Sequence, residues 1–211
     1  MMLCAFRCGE EPVYVCGDTI LHFEINIAVS PLSGQYHIGD TLWVTVAIPG
    51  SLKDLNSNEY IPVLDYDFKI GSLINRMDIS NTPPAFHEFG YVQQTGKYTI
   101  NNPSSFGALA RVTTEPVNGE QKFQVGFIPL SKGLFQLSFS NWTHDLRCQP
   151  LPAFGKALNT LDLSYRMNNG DLEENNYPML LASPIAATQP ELISTPEAIL
   201  KDGVYIFQVI E

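Results

Sequence analysis

Apolar and polar positions alternate with a period of two along much of this chain, which predicts strands rather than helices. From Ile20 to Pro31, Leu21, Phe23, Ile25, Ile27 and Val29 fall on one face and His22, Glu24, Asn26 and Ala28 on the other, the pattern of a half-buried strand. Ser33-Gly34 marks a turn. Leu42, Val44, Val46 and Ile48 then oppose Trp43, Thr45 and Ala47 until Pro49-Gly50 ends the run. Two such strands with a short connection predict antiparallel pairing, one face dry and the other wetter. A third strand is expected from Val63 to Ile70, where Val63, Asp65, Asp67 and Lys69 alternate with Leu64, Tyr66, Phe68 and Ile70. The clearest hairpin is expected where Phe123, Val125 and Phe127 run out to Pro129 and Phe135, Leu137 and Phe139 return after Leu130 to Gly133.

Another strand is expected from Leu158 to Met167. Residues 171–181 have helical composition, but Pro178 limits them to short turns. Ser194-Thr195-Pro196-Glu197 fits a helix start, with Thr195 as cap and Pro196 in the first position, running to Leu200 and stopped by Asp202-Gly203. Val204 to Ile210 is apolar on both faces, which predicts a central strand. Between residues 81 and 121 the turn signals Pro83-Pro84, Asn101-Asn102-Pro103 and Asn118-Gly119 surround short strands at Tyr98 to Ile100 and Leu109 to Thr113. Phe86, Phe89, Tyr91 and Phe106 are too many aromatics for a solvated tether, so this stretch reads as an elaborated crossover with at least one hairpin. The sequence thus predicts a tail over 1–19 and a single all-β domain over 20–211, an antiparallel β-sandwich with an insertion at about 81–121 and short helical turns near the C-terminus.

The 211 residues are 45% hydrophobic and 16% charged, which excludes a disordered chain. No apolar run approaches the roughly 20 residues of a membrane-crossing helix. Twelve Lys and Arg against 22 Asp and Glu give a formal charge of −10, which repels nucleic acid and disfavours an anionic membrane surface except through a lipid anchor or a partner. Four cysteines stand at Cys4, Cys8, Cys16 and Cys148. They allow three disulfide pairings, including a bridge that ties the tail to the domain, or four free thiols. No C-x2-C pair speaks for zinc. Residues 1–8 read like the end of an apolar export segment without its basic front. Cys4 is accordingly a candidate for lipidation, although Leu3 before it is larger than such processing sites prefer. Taken at face value the missing signal points to the cytoplasm; the cysteines and the strand-rich pattern favour a secreted, periplasmic or outer-membrane-associated location.

Tyr36-His-Ile-Gly39-Asp40-Thr-Leu-Trp-Val44-Thr-Val46 resembles the second-strand entry of bacterial immunoglobulin-like domains, with Gly39 tolerating the turn and Asp40 placed to cap its amides. Phe127-Ile-Pro129-Leu-Ser-Lys-Gly133-Leu-Phe135-Gln-Leu137 looks like the late-strand corner of such domains, with Phe135 where a tyrosine is common. The closing Lys201 to Val209, with the Asn175-Asn176 region ahead of it, is similar to uncharacterised exported proteins of Gram-negative envelopes, often lipoproteins. The resemblance covers about residues 20–211. It implies an immunoglobulin-like β-sandwich in the envelope and carries over no catalytic residue.

Candidate chemistry is sparse. His144-Asp145 with Cys148 is the one cluster with ligand-like spacing, against a plain solvated loop, and His87-Glu88 lacks the second histidine of a helical zinc motif. No nucleophile elbow occurs. Asp65, Asp67, Asp171, Glu173 and Glu174 are the carboxylates from which an acid–base pair would have to come, against surface acids. Asn168, Asn169, Asp171 and Glu173 form an oxygen-rich run that makes calcium the one candidate cofactor, without the EF-hand spacing. Trp43, Tyr91, Tyr98 and Trp142 are candidate binding aromatics, against the alternative that Trp43 is core. Asn141-Trp142-Thr143 matches a glycosylation triplet. Three functions follow: a non-catalytic envelope protein serving as a protein-binding accessory subunit of a surface assembly; a carbohydrate-binding or adhesive module; or an enzyme with a carboxylate site.

Overall fold

The computed structural model describes residues 20–68, 70–81, 83–101, 109–141, 149–150 and 158–211. The strands in chain order are β1 (Ile20–Ser30), β2 (Gln35–His37), β3 (Leu42–Pro49), β4 (Ser51–Lys53), β5 (Tyr60–Pro62), β6 (Ile70–Arg76), β7 (Phe89–Thr95) and β8 (Lys97–Asn101). After them come β9 (Leu109–Thr113), β10 (Glu115–Val117), β11 (Glu120–Pro129), β12 (Gly133–Asn141), β13 (Gln149–Pro150), β14 (Leu158–Met167) and β15 (Tyr205–Ile210). Three short α-helices, α1 (Tyr177–Leu181), α2 (Pro184–Thr188) and α3 (Pro196–Lys201), lie between β14 and β15, with single 3-10 turns at Asn168–Gly170 and Pro190–Leu192.

The strands form two open, mixed sheets and one small hairpin. A seven-stranded sheet runs β10-β11-β3-β1-β14-β13, with β7 also paired to β11; a six-stranded sheet runs β2-β15-β12-β6-β9-β8; β4 and β5 pair with each other. The inward-facing residues of both sheets belong to one apolar core, with Phe23, Val44 and Phe127 from the first and Ile74, Val112, Leu137 and Phe207 from the second. Aromatic edges bridge the sheets: Phe89 meets Phe135 at 4.9 Å between centroids and Tyr98 meets Phe127 at 5.3 Å. Each such side chain contributes roughly 1.5–3 kcal/mol by leaving water.

A second apolar cluster explains why β15 is greasy on both faces. Ile206 and Val204 pack with Met77, Leu180, Ile185 and Ile199, so the helical segment roofs the outer surface of β15 while Tyr205, Phe207 and Val209 face the main core. The caps follow the sequence reading: Thr195 accepts from the Ala198 amide at the start of α3, and Gly203 takes φ +53 just past its end. The first two long strands pair antiparallel as expected, Ile27 opposite Val46 and Ser30 opposite Trp43.

Three expectations are corrected. The sheets are not purely antiparallel: β1 runs parallel to β14, Ile20 opposite Thr160 through Ile27 opposite Met167, and β2 runs parallel to β15. Alternation reports which face is dry and is blind to strand direction, and these partners are far apart in sequence. The expected hairpin is instead a corner, because β11 belongs to the seven-stranded sheet and β12 to the six-stranded one. Its aromatic faces look at each other across the core rather than lying side by side. The expected strand over Val63 to Ile70 is a loop as far as Phe68. The Tyr66 amide bonds back to the Val63 carbonyl at 3.0 Å, and the Gln121 side chain donates to the Leu64 carbonyl, so the backbone turns where a strand would run straight. The strand begins only at Ile70, and its weak pattern reflects Gly71, Ser72 and Asn75. The stretch 81–121 supplies β7 and β10 to one sheet and the β8–β9 hairpin to the other.

Candidate functional site

The wet faces of β7, β11, β3 and β1 make one surface. In register across the four strands stand Val92, Gly126, Trp43 and Ser30, and beside them Gln124, Thr45 and Ala28. On the other side Ile128 lies opposite Gly90. None of these residues ionises. Charge returns only at the margins, with Lys122 paired to Glu120 at 2.9 Å and Arg166 to Glu24 at 3.4 Å. For a chain of net charge −10, this is an unusually neutral area.

Gly126 shapes it. A Cβ there would stand 2.7 Å from Thr41 Cγ2 and 3.0 Å from Trp43 Cζ3, so the bare backbone is what lets the indole settle over the sheet. Trp43 is consequently half-buried, neither core nor freely projecting. The strip continues onto two loops at the same end of the molecule, where Leu130 is 57% and Ile38 45% exposed. Both loops are pinned: the Gly39 amide donates to the Pro129 carbonyl at 3.0 Å, that of Ile38 to Ile210 and that of Leu130 to Glu88. Gly39 has φ +90 and Asp40 accepts from the His37 amide at 2.7 Å, as its place in the turn implies.

Among the described residues, the other sequence candidates do not gather into one site. Tyr91 is 41% exposed at the edge of the sheet, and its ring meets that of Tyr98 at 5.9 Å, but Tyr98 is buried against Phe123 and Phe127, and burial raises the pKa of its hydroxyl. Trp142, His144, Asp145 and the cysteines Cys4, Cys8, Cys16 and Cys148 lie outside the described residues. Asn141 Oδ1 accepts from the Tyr165 hydroxyl at 2.9 Å. His22 Nε2 sits 3.3 Å from Ser164 Oγ, while His37 and His87 are exposed. Asp65 and Asp67 are exposed positions on the loop after β5, whose Val63, Tyr66 and Phe68 are buried in the core, and Asp67 lies 3.9 Å from Arg111.

The oxygen-rich run serves the fold. Asn168 Oδ1 accepts from the Val29 amide at 2.9 Å, the Asn169 carbonyl accepts from Arg166 Nε at 2.7 Å, and Asp171 Oδ1 caps the amides of Glu173 and Glu174. Among the described residues no group of three or more His, Cys, Asp or Glu is placed to hold a metal ion.

A groove of about 770 Å³ runs between α1, α2 and the outer side of β12 and β15, lined by Leu134, Met179, Pro184, Arg76, Asp78 and Lys132. Arg76 is held by Asp78 and Glu88, and Lys132 is paired with Glu211. Among the described residues no helix is long and apolar enough to cross a membrane. Sequence reasoning reached Trp43 but missed Val92, Gly126, Ile128, Leu130 and Ile38. Each is unremarkable alone, and only the register brings them together.

No family model and no curated protein matches this chain. Among solved structures it is similar to the CupB6 tip adhesin from Pseudomonas aeruginosa, at 13% identity and a TM-score of 0.20 over 71% of this chain. The matched region spans 41% of that adhesin, about two fifths of its length.

Proposed function

We propose that this chain is a non-catalytic, secreted or envelope-associated binding protein, an immunoglobulin-like sandwich that docks a protein partner on the outer face of its seven-stranded sheet. The observation that carries it is the neutral strip from Trp43 through Val92 and Ile128 to Leu130 and Ile38, with exposed aliphatic side chains on pinned backbone. Rigid aromatic and aliphatic anchors with few charges around them are what a protein interface core requires, because little ordering entropy is lost and no charge is stripped of water. The shared core of the two sheets and the corner between β11 and β12 support the sandwich reading.

The test is capture of partners from a cell-envelope extract by the full chain and by a Trp43→Ala, Leu130→Asp variant. A Tyr60→Ala variant, altered on β5 at the far end of β3, serves as control. The proposal expects capture to survive in the control and to be lost in the face variant while that variant still unfolds in one cooperative transition; equal capture by all three overturns it. A carbohydrate-binding reading has its own support in the amides and hydroxyls of Gln124, Thr45 and Ser30 around the indole. Trp43-dependent binding to a glycan array, without a protein partner, would favour it.

A further inference from the structure

The strands that end the two sheets differ in how they are protected. An edge strand offers unpaired amides and carbonyls to any passing chain, and natural edges are blunted by shortness, charge or proline. Among the described residues, β2 is three residues long, β10 is Glu115-Pro116-Val117, β13 is Gln149-Pro150, β14 carries Asp162 and Arg166 along the stretch that β13 leaves uncovered, and β8 opens on Lys97. β7 is the exception. It runs seven residues, Phe89-Gly-Tyr-Val-Gln-Gln-Thr95, with neither charge nor proline, and β11 is its one strand partner among the described residues. Its residues Tyr91, Val92, Gln93 and Gln94 are all exposed in succession, so neither face of the strand is covered there. The register slips between Gln124 and Val125, and before that slip Phe89 to Gln93 pair regularly with Pro129 to Val125.

We propose that β7 is a docking edge, at which an extended segment of a partner protein adds as a further strand of the seven-stranded sheet. This rests on the protein-binding reading and specifies its mode. Backbone pairing along Phe89 to Gln93 supplies the attachment, and alternate side chains of the incoming strand fall beside Val92 on the neutral face, continuous with Ile128 and Trp43. Charge selects the occupant. The edge has no charge to pair with, and the chain as a whole carries −10, so a second copy is repelled while a neutral or basic segment with apolar residues at every other position is admitted.

The probe is a synthetic peptide copying residues 122–129, the stretch of β11 that already complements β7 and carries lysine but no acid. Its affinity for the full chain is measured by titration, with amide exchange reporting where it binds. Two further peptides carry N-methyl groups, one at the positions copying 123, 125 and 127, the other at those copying 124, 126 and 128. In a strand, alternate amides point to opposite sides. The proposal therefore expects the parent to bind and protect residues 89–93, one methylated peptide to bind like it, and the other to bind at least about tenfold more weakly. Absence of binding, equal loss in both methylated peptides, protection elsewhere, or a dimer of the chain alone with residues 89–93 protected would each overturn it. None of these readouts uses the Trp43 and Leu130 variants, so the edge can fail while the outer face stands, and the reverse.

Discussion

Arg76 at the end of β6 and Glu88 in the turn before β7 form an ion pair at 2.7 Å that holds the corner where the chain leaves one sheet for the other. The same guanidinium binds Asp78 through Nε at 2.7 Å and the Lys132 carbonyl at 2.9 Å, and Glu88 also accepts from the Ser131 hydroxyl. Both side chains are largely buried, so removing one leaves the other's charge short of partners. Arg76→Ala or Glu88→Ala is expected to destabilise by about 2–4 kcal/mol, and the double variant by less than the sum. Urea unfolding of the four proteins checks this; additive losses would deny the coupling.

That clasp also explains what could and could not be read from the chain. The faces of β1, β3 and β15 were legible because dry and wet residues alternate there, and the turn at Gly39-Asp40 and the Thr195 cap because their residue types serve one local purpose. The corner between β11 and β12 was not. Phe123, Val125 and Phe127 facing Phe135, Leu137 and Phe139 fit a hairpin or an arch equally well, and the arch is locked by Arg76 and Glu88, which are remote in sequence. The strip was hidden for the same reason. Val92, Gly126 and Trp43 belong to three strands, and only pairing reveals that they share a row.

Asp54 makes stability fall in acid. It is buried in the turn between β4 and β5 and accepts from the amides of His22 at 2.7 Å, Asn56 at 3.3 Å and Ser57 at 2.9 Å. Burial opposes its ionisation, but the hydrogen bonds from Ser57, His22 and Asn56 outweigh it and hold its pKa below the ordinary carboxylate value. A group depressed in the folded state stabilises fully above its unfolded pKa, about 4 for Asp, and loses that contribution as pH falls toward the folded value. Asp54→Asn is expected to cost about 1–2 kcal/mol at pH 7, because Nδ2 cannot accept from an amide, and the cost is expected to shrink below about pH 4. Melting temperatures of both proteins from pH 7 to pH 3 check it.

Asn168 ties the ends of two strands to the segment beneath the helices. Its Oδ1 takes the Val29 amide, and its Nδ2 donates at 3.1 Å to Asn175 Oδ1, whose own Nδ2 donates to the Met167 carbonyl. It also holds φ 45, a region asparagine tolerates better than alanine. Asn168→Ala is expected to cost about 2–3 kcal/mol by orphaning a buried amide and straining the backbone. Since its oxygen is committed and Arg166 sits at the Asn169 carbonyl, millimolar calcium is expected to leave the melting temperature within about a degree. A larger rise would show the run binding the ion.

Gly126 and Trp43 offer the most direct probe of the outer face. With Thr41 Cγ2 at 2.7 Å and the indole at 3.0 Å from a Cβ at 126, alanine cannot be added without moving one of them. Thr41 precedes the strand and Trp43 lies on a surface with solvent above it, so the indole is the group with room to go. Gly126→Ala is therefore expected to lift Trp43 outward, costing about 1–2 kcal/mol and shifting its fluorescence to longer wavelength in a background where Trp142 is replaced by Phe. Because the indole anchors the proposed interface, partner capture should weaken together with the spectral shift. A shift without loss of capture would place the interface elsewhere on the strip, toward Leu130 and Ile38.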